Sequence, residues 1–171
     1  MSVREIVLNP DPVLRRKAHK ITEFDRDLQT LVNDMVDTLR DAPGVGLAAP
    51  QIGVSSRLIV VEYGEEDDEK EEAPKKLYIV INPEIVKPSE EMVEGVEGCL
   101  SVPGLCGVVD RHQSIMVKGF NRQGKPIRIK AKDWLARIFQ HEIDHLDGVL
   151  YTDRASRVWQ PEEGEQEAAD V

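Results

Sequence analysis

Apolar positions in the first quarter of the chain follow a helical rhythm. In DRDLQTLVNDMVDTLRD, Leu28, Leu31, Val32, Met35, Val36 and Leu39 recur at spacings of three and four, the signature of a helix with one buried face. Asp25 is suited to cap its start and Pro43-Gly44 to end it, so the pattern predicts a helix over about 25–41. Ahead of it, NPDPVLRR at 9–16 reads as a turn leading into a short helical segment. After it, GVGLAAPQIG at 44–53 is small, glycine-rich and poorly helical. RLIVVE at 57–62 and LYIVI at 77–81 are continuous apolar runs of strand length. SIMVKGF at 114–120 and KPIRIKA at 125–131 alternate with period two, and NRQG joins them as a hairpin. A second helix is expected from about 134 to 146, capped by Asp133 and stopped by Gly148. VLYTD is read as a short strand. Strands that outnumber helices without regular alternation imply an α+β fold, mainly antiparallel strands packed around the C-terminal helix with an N-terminal amphipathic helix beside them.

The 171 residues and 40% hydrophobic content fit a single domain able to bury its own core. No apolar run approaches the ~20 residues of a membrane span. The first residues, MSVREIVLNP, lack a secretory pattern, so a cytoplasmic location without membrane association is expected. The formal net charge of −10 argues against binding nucleic acid through its phosphates. Much of the acid is concentrated in GEEDDEKEE at 64–72 and PEEGEQEAAD at 161–170. A catalytic domain over 1–157, with an acidic surface insertion near 64–76 and an acidic, mobile tail over 158–171, follows from that distribution.

The candidate chemistry lies in IFQHEIDHLDG, residues 138–148. His141 and His145 stand one helical turn apart and can aim at a common point. Glu142 is ~100° round the helix from His141, beside such a point without ligating it. Two ligands and a general base are what H-E-x-x-H supplies. The flanking Leu135, Ile138, Phe139, Ile143 and Leu146 predict a buried helix, in which unpartnered histidines and a carboxylate would cost several kcal/mol. A hydrolytic metal site needs a third protein ligand and one open position. His19 and His112 stand beside positive charge and read as surface residues. Cys99, in the glycine-flanked turn VEGCLSVPG, is the better candidate, with Cys106 as its competitor.

Three stretches, GVGLAAPQ at 44–51, EGCLS at 97–101 and QHEIDH at 140–145, resemble the signature motifs of peptide deformylase, in order. The likeness runs from NPDPVLR to GVLYTDR. It implies a hydrolase of protein biosynthesis that removes the formyl group from the N-terminal formylmethionine of nascent polypeptides and releases formate, working near the ribosomal exit tunnel. It further implies Cys99, His141 and His145 as metal ligands, with Fe(II) as native metal and Zn(II), Ni(II) or Co(II) as substitutes. Glu142 becomes the acid/base, while Gln51 and the backbone N–H of Leu100 hold the formyl oxygen. Gly46 and Gly98 would pair with an extended peptide. Val45, Trp134 and Ile138 are candidates for the methionine pocket, the last two because they share a helix face with His141. Two rival functions predict different ligand sets. A protease cleaving internal peptide bonds requires a third ligand other than Cys99. A structural zinc domain recruits Cys106 as fourth ligand and leaves Glu142 idle.

Overall fold

The computed structural model describes residues 2–64, 74–162 and 171. The expectations for the acidic insertion and for most of the tail therefore lie outside the described residues. Helix α1 spans Arg26–Asp41, and the Asp25 carboxylate accepts the Leu28 N–H at 2.9 Å, as the sequence pattern anticipated. Strand β1 (Gly46–Ala48) leads into a 3₁₀ turn over Ala49–Ile52. Then come β2 (Leu58–Tyr63), β3 (Lys76–Val86), β4 (Met92–Cys99), β5 (Val102–His112), β6 (Ser114–Phe120) and β7 (Pro126–Lys132). Helix α2 covers Asp133–Leu146, α3 is a single turn at Tyr151–Arg154, and β8 is Arg157–Trp159.

All strand pairs are antiparallel. One sheet runs β1-β2-β3-β6-β7 and the other β4-β5-β8. The apolar run of β2 is explained by burial on both faces. Leu58 and Val60 pack with Leu28, Val32, Met35 and Leu39 of α1, whereas Ile59 and Val61 pack with Ile138, Phe139 and Ile143 of α2. A strand between two helices has no solvent face, so hydrophobic alternation disappears. Helix α2 is buried nearly all round: every residue from Leu135 to Leu146 is buried. Its outer side meets the second sheet and a smaller cluster of Cys99, Val102, Val109, Leu150 and Tyr151.

Several local expectations are corrected. Asp133 does not cap α2; it has φ +56°, and its carboxylate accepts from the Gln113 side chain at 2.8 Å. Gly148 does stop the helix, at φ +75°, with Arg15 O only 2.6 Å from where a Cβ would stand. VLYTD forms the turn α3 and not a strand, because Asp153 folds back to accept the Leu150 N–H at 3.0 Å. The chain re-enters the second sheet afterwards, through Cys106–Trp159 and Val108–Arg157 pairing, so ordered structure extends past residue 157. The long β4–β5 hairpin carries no clean alternation: Gly95, Glu97, Gly98 and Gly107 interrupt it, and it was not anticipated as two strands.

Candidate metal centre and active site

Three elements from different parts of the chain bring the site together. β4 ends at Cys99, which is fully buried. α2 presents His141 and His145 from one face, their rings 5.0 Å apart at 71°. One possible ligand atom each from Cys99, His141 and His145 lies within 4.8 Å of the other two, and Cys99 Sγ is 3.4 Å from His145 Nε2. Cys106 is buried on β5, opposite Trp159, and is not a member of that group.

The ring chemistry suits a metal-ligand set. His141 Nδ1 lies 2.9 Å from Glu97 Oε1, which fixes the tautomer and leaves Nε2 with a lone pair. That Nε2 is buried and meets no protein partner, as are both oxygens of Glu142. Orphaned buried polar atoms cost about 1–3 kcal/mol each unless something satisfies them. A divalent cation among the sulfur and the two rings, with water alongside, fits that need and the softness of the donors. Burial, with the neighbouring His141 next, pushes the pKa of His145 well below the usual histidine value, so it stays neutral as a ligand must. Burial likewise drives the Glu142 carboxyl well above the usual range, with nearby Glu97 adding to it. A bound cation would draw it back down. Glu97 behaves oppositely: burial would raise it, but hydrogen bonds from Arg111 and His141 overcome that and hold it well below the carboxylate range.

The glycine-rich stretch takes its meaning from what lies beneath it. A Cβ on Gly46 would sit 2.5 Å from Glu142 Oε2, and one on Gly44 would sit 2.9 Å from Leu100 Cδ1. These glycines make room for the acid/base candidate and for the residue after Cys99. Gln51 is fully buried; its Oε1 accepts the Ala48 N–H at 2.9 Å. Its amide nitrogen thereby points at the sulfur, 3.7 Å away, and donates to Ser101 Oγ at 3.2 Å. Val45 and Trp134 are half-buried against the core cluster that contains Ile138. Gly98 O accepts a backbone N–H, from Val171, at 3.3 Å.

A family model described as polypeptide deformylase matches residues 3–160. The chain belongs to the polypeptide deformylase family. The peptide deformylase of Symbiobacterium thermophilum is 50% identical over 169 residues, covering 98% of this chain and 74% of the relative. That of Natranaerobius thermophilus is 48% identical, covering 95% and 99%. Among solved structures, a peptide deformylase from Legionella pneumophila superposes with a TM-score of 0.79 at 46% identity, covering 91% of this chain and 87% of that one. The Ehrlichia chaffeensis peptide deformylase in complex with actinonin gives 0.84 at 41%, covering 92% and 91%. The deformylase fold is thus the antiparallel α+β arrangement expected from the motifs.

Two parts of this deformylase site escaped the sequence reading. Glu97 stands in the EGCLS motif, and a ligating histidine almost always gives its second nitrogen to a carboxylate or carbonyl. Tyr151, in the misread VLYTD segment, stacks on His141 at 6.0 Å and 22° and donates its hydroxyl to Leu105 O at 3.0 Å. Leu105 contributes that carbonyl. The two remaining histidines divide: His19 is exposed as expected, but His112 is half-buried, its Nδ1 2.7 Å from Ser89 O.

Proposed function

We propose that the chain is a metal-dependent amide hydrolase that removes the formyl group from N-formylmethionyl nascent polypeptides, with Glu142 as its acid/base. The observation that carries this reading is a fully buried carboxylate, both oxygens without a protein partner, beside a Cys99/His141/His145 ligand set. A structural zinc site would leave such a group without a task, and an endoprotease is not favoured by the family.

In the proposed mechanism Cys99 Sγ, His141 Nε2 and one ring nitrogen of His145 would hold a divalent metal. When bound, the metal supplies Lewis acidity, which brings the pKa of a water towards neutrality. Glu142 takes the proton from the attacking water and returns it to the leaving amine, so one carboxylate serves both transfers. Its burial makes the carboxylate more basic, which favours the first transfer. Negative charge develops on the formyl oxygen. The Gln51 amide and the Leu100 N–H are its donors, pre-set by the Ala48 and Ser101 contacts and by the turn after Cys99. The peptide lies extended between two strand edges. Among the described residues β1 pairs only with β2, and β4 only with β5, so each offers an edge for an added strand. Gly46 and Gly98 are the pairing positions, and the Gly98 carbonyl already accepts a backbone N–H. Val45, Trp134 and Ile138 wall the methionine side chain.

Fe(II) is the proposed native metal, since a thiolate with two imidazoles suits it as well as Zn(II), Ni(II) or Co(II), and the family resemblance favours iron. The substrate puts the work in the cytoplasm, at or near the ribosomal exit. Among the described residues no helix is long and apolar enough to cross a membrane.

The test is Glu142→Gln, measured with formate release from one formyl-Met peptide, metal content and thermal midpoint side by side. The variant should keep its metal and its midpoint while kcat falls by about 10²–10⁴. Near-parent activity would remove Glu142 from the chemistry, and loss of metal would make it a ligand.

A further inference from the structure

Arg137 stands one helical turn before His141 on α2 and is buried. Its guanidinium is held at three points. Nη1 donates to Glu97 Oε2 at 2.6 Å and to Val109 O at 2.9 Å, and Nη2 donates to Val93 O at 2.6 Å. Trp134 covers it, with ring centroid and guanidinium carbon 5.6 Å apart. The group lies over the point where Gly95 and Val109 are paired across β4 and β5. A Cβ on Gly95 would be 2.6 Å from Arg137 Cζ. The volume left by the missing side chain at 95 is therefore the volume the guanidinium fills.

Glu97 is divided between partners. Oε1 faces His141 Nδ1 and accepts from Arg111 Nη2, while Oε2 accepts from Arg111 Nε and Arg137 Nη1. Arg111 is also drawn the other way, by Asp144 at 2.6 Å, and Asp144 is held in turn by Arg154. Any motion of Arg111 toward Asp144 would swing the Glu97 carboxylate, and with it the His141 ring. Arg137 ties Oε2 to the β4 and β5 backbones independently of that chain. Its rigid, planar donor set is what such a three-point tie needs, and an ammonium does not reproduce it.

We infer that Arg137 is a positioning residue for the metal ligand His141, acting through Glu97, and that Gly95 is glycine to admit it. The inference rests on the reading that Cys99, His141 and His145 hold the metal.

The test uses chelator-stripped full-length protein titrated with Co(II), whose visible bands report ligand identity and geometry. Arg137→Met should bind Co(II) about 10-fold more weakly, the lower end of what loss of an outer partner costs, and with altered bands. Arg137→Lys should recover part of the affinity. Gly95→Ala should weaken binding in the parent but cost clearly less in the Arg137→Met background, since methionine lacks the Cζ and Nη2 atoms that crowd the new methyl and its flexible tip can turn aside. Asp34→Asn, which disturbs a buried carboxylate remote from the site, should lower stability and leave the Co(II) spectrum unchanged. Parent-like affinity and bands in Arg137→Met, or an equal cost of Gly95→Ala in both backgrounds, overturns the proposal. If Arg137→Met does not fold, Arg137→Lys and Gly95→Ala decide: weaker binding in both supports it, and parent-like binding in either overturns it. A parent that binds no Co(II) through sulfur would instead sink the metal-ligand reading itself.

Discussion

Gly46→Ala tests whether the position of the Glu142 carboxylate governs turnover. The new methyl carbon would lie 2.5 Å from Oε2 and 2.9 Å from both Cδ and Cγ of Glu142. Ordinary contacts begin near 3.4 Å, so the carboxylate or β1 must give by about 1 Å. β1 is pinned to β2 through Gly46–Val61, Leu47–Val60 and Ala48–Ile59, and its side chains are buried. Glu142 has no protein hydrogen bond to resist displacement. The side chain should therefore move and the strand stay. Displacement of a reacting group by about 1 Å costs on the order of 10² in rate. Overpacking costs about 1–3 kcal/mol, of which about 0.4–1 is recovered because alanine restricts the unfolded chain more than glycine does. The variant should keep its metal, lose about 1–2 kcal/mol of stability and turn over a formyl-Met peptide about 100-fold more slowly. Formate release, metal analysis and thermal unfolding of the same sample measure all three. The mechanism adds a sharper requirement. If the alanine acts only through Glu142, Gly46→Ala/Glu142→Gln should be no slower than Glu142→Gln alone. Parent-like kcat in the single variant, or multiplied losses in the double, would refute the reasoning.

Cys99→Ser should lose metal and activity, whereas Cys106→Ser should retain both, because only the first sulfur stands within reach of the two imidazoles; metal content of each purified variant checks this. Activity of the Fe(II) form should exceed that of the Zn(II) form and decline in air, since a ferrous thiolate site is open to oxidation; anaerobic and aerobic assays of both forms compare them. Asp34 is held below its ordinary pKa of 3.8 first by the Ser2 N–H and then by Arg4. A depressed carboxylate adds stability above its unfolded pKa and loses it as pH falls through the folded value. Asp34→Asn should thus lower the thermal midpoint by a few degrees at pH 7, and the gap should shrink below about pH 4 as Asp34 protonates in the parent.

What the sequence made legible depended on whether the relevant information was local. The α1 stripe, the Asp25 cap, the NRQG hairpin and the Gly148 stop each need only neighbours within a turn, and each was readable. His141, Glu142 and His145 share one turn, so their common aim followed from helix geometry. Cys99 did not follow from geometry: it is 42 residues upstream, and motif likeness singled it out from Cys106. Asp133 shows why a local rule fails. As a cap it would satisfy its own helix, but Gln113, brought near by the β5–β6 corner, competes for its carboxylate and wins. The hairpin β4–β5 was obscured for a related reason. Glycines at 95, 98 and 107 break its alternation, and at 95 and 107 the glycine serves what lies beyond the strand. Gly95 gives way to Arg137, and Gly107 to Ala155 and Tyr151. Such a glycine weakens the strand signal because it accommodates a distant residue. The loss of periodicity is thus itself a trace of the site, legible once the partner at each gap is known. Glu97 makes the same point with charge. An acid two residues from a cysteine reads as an exposed carboxylate until two arginines and a histidine, from 14 to 44 residues away, converge on it.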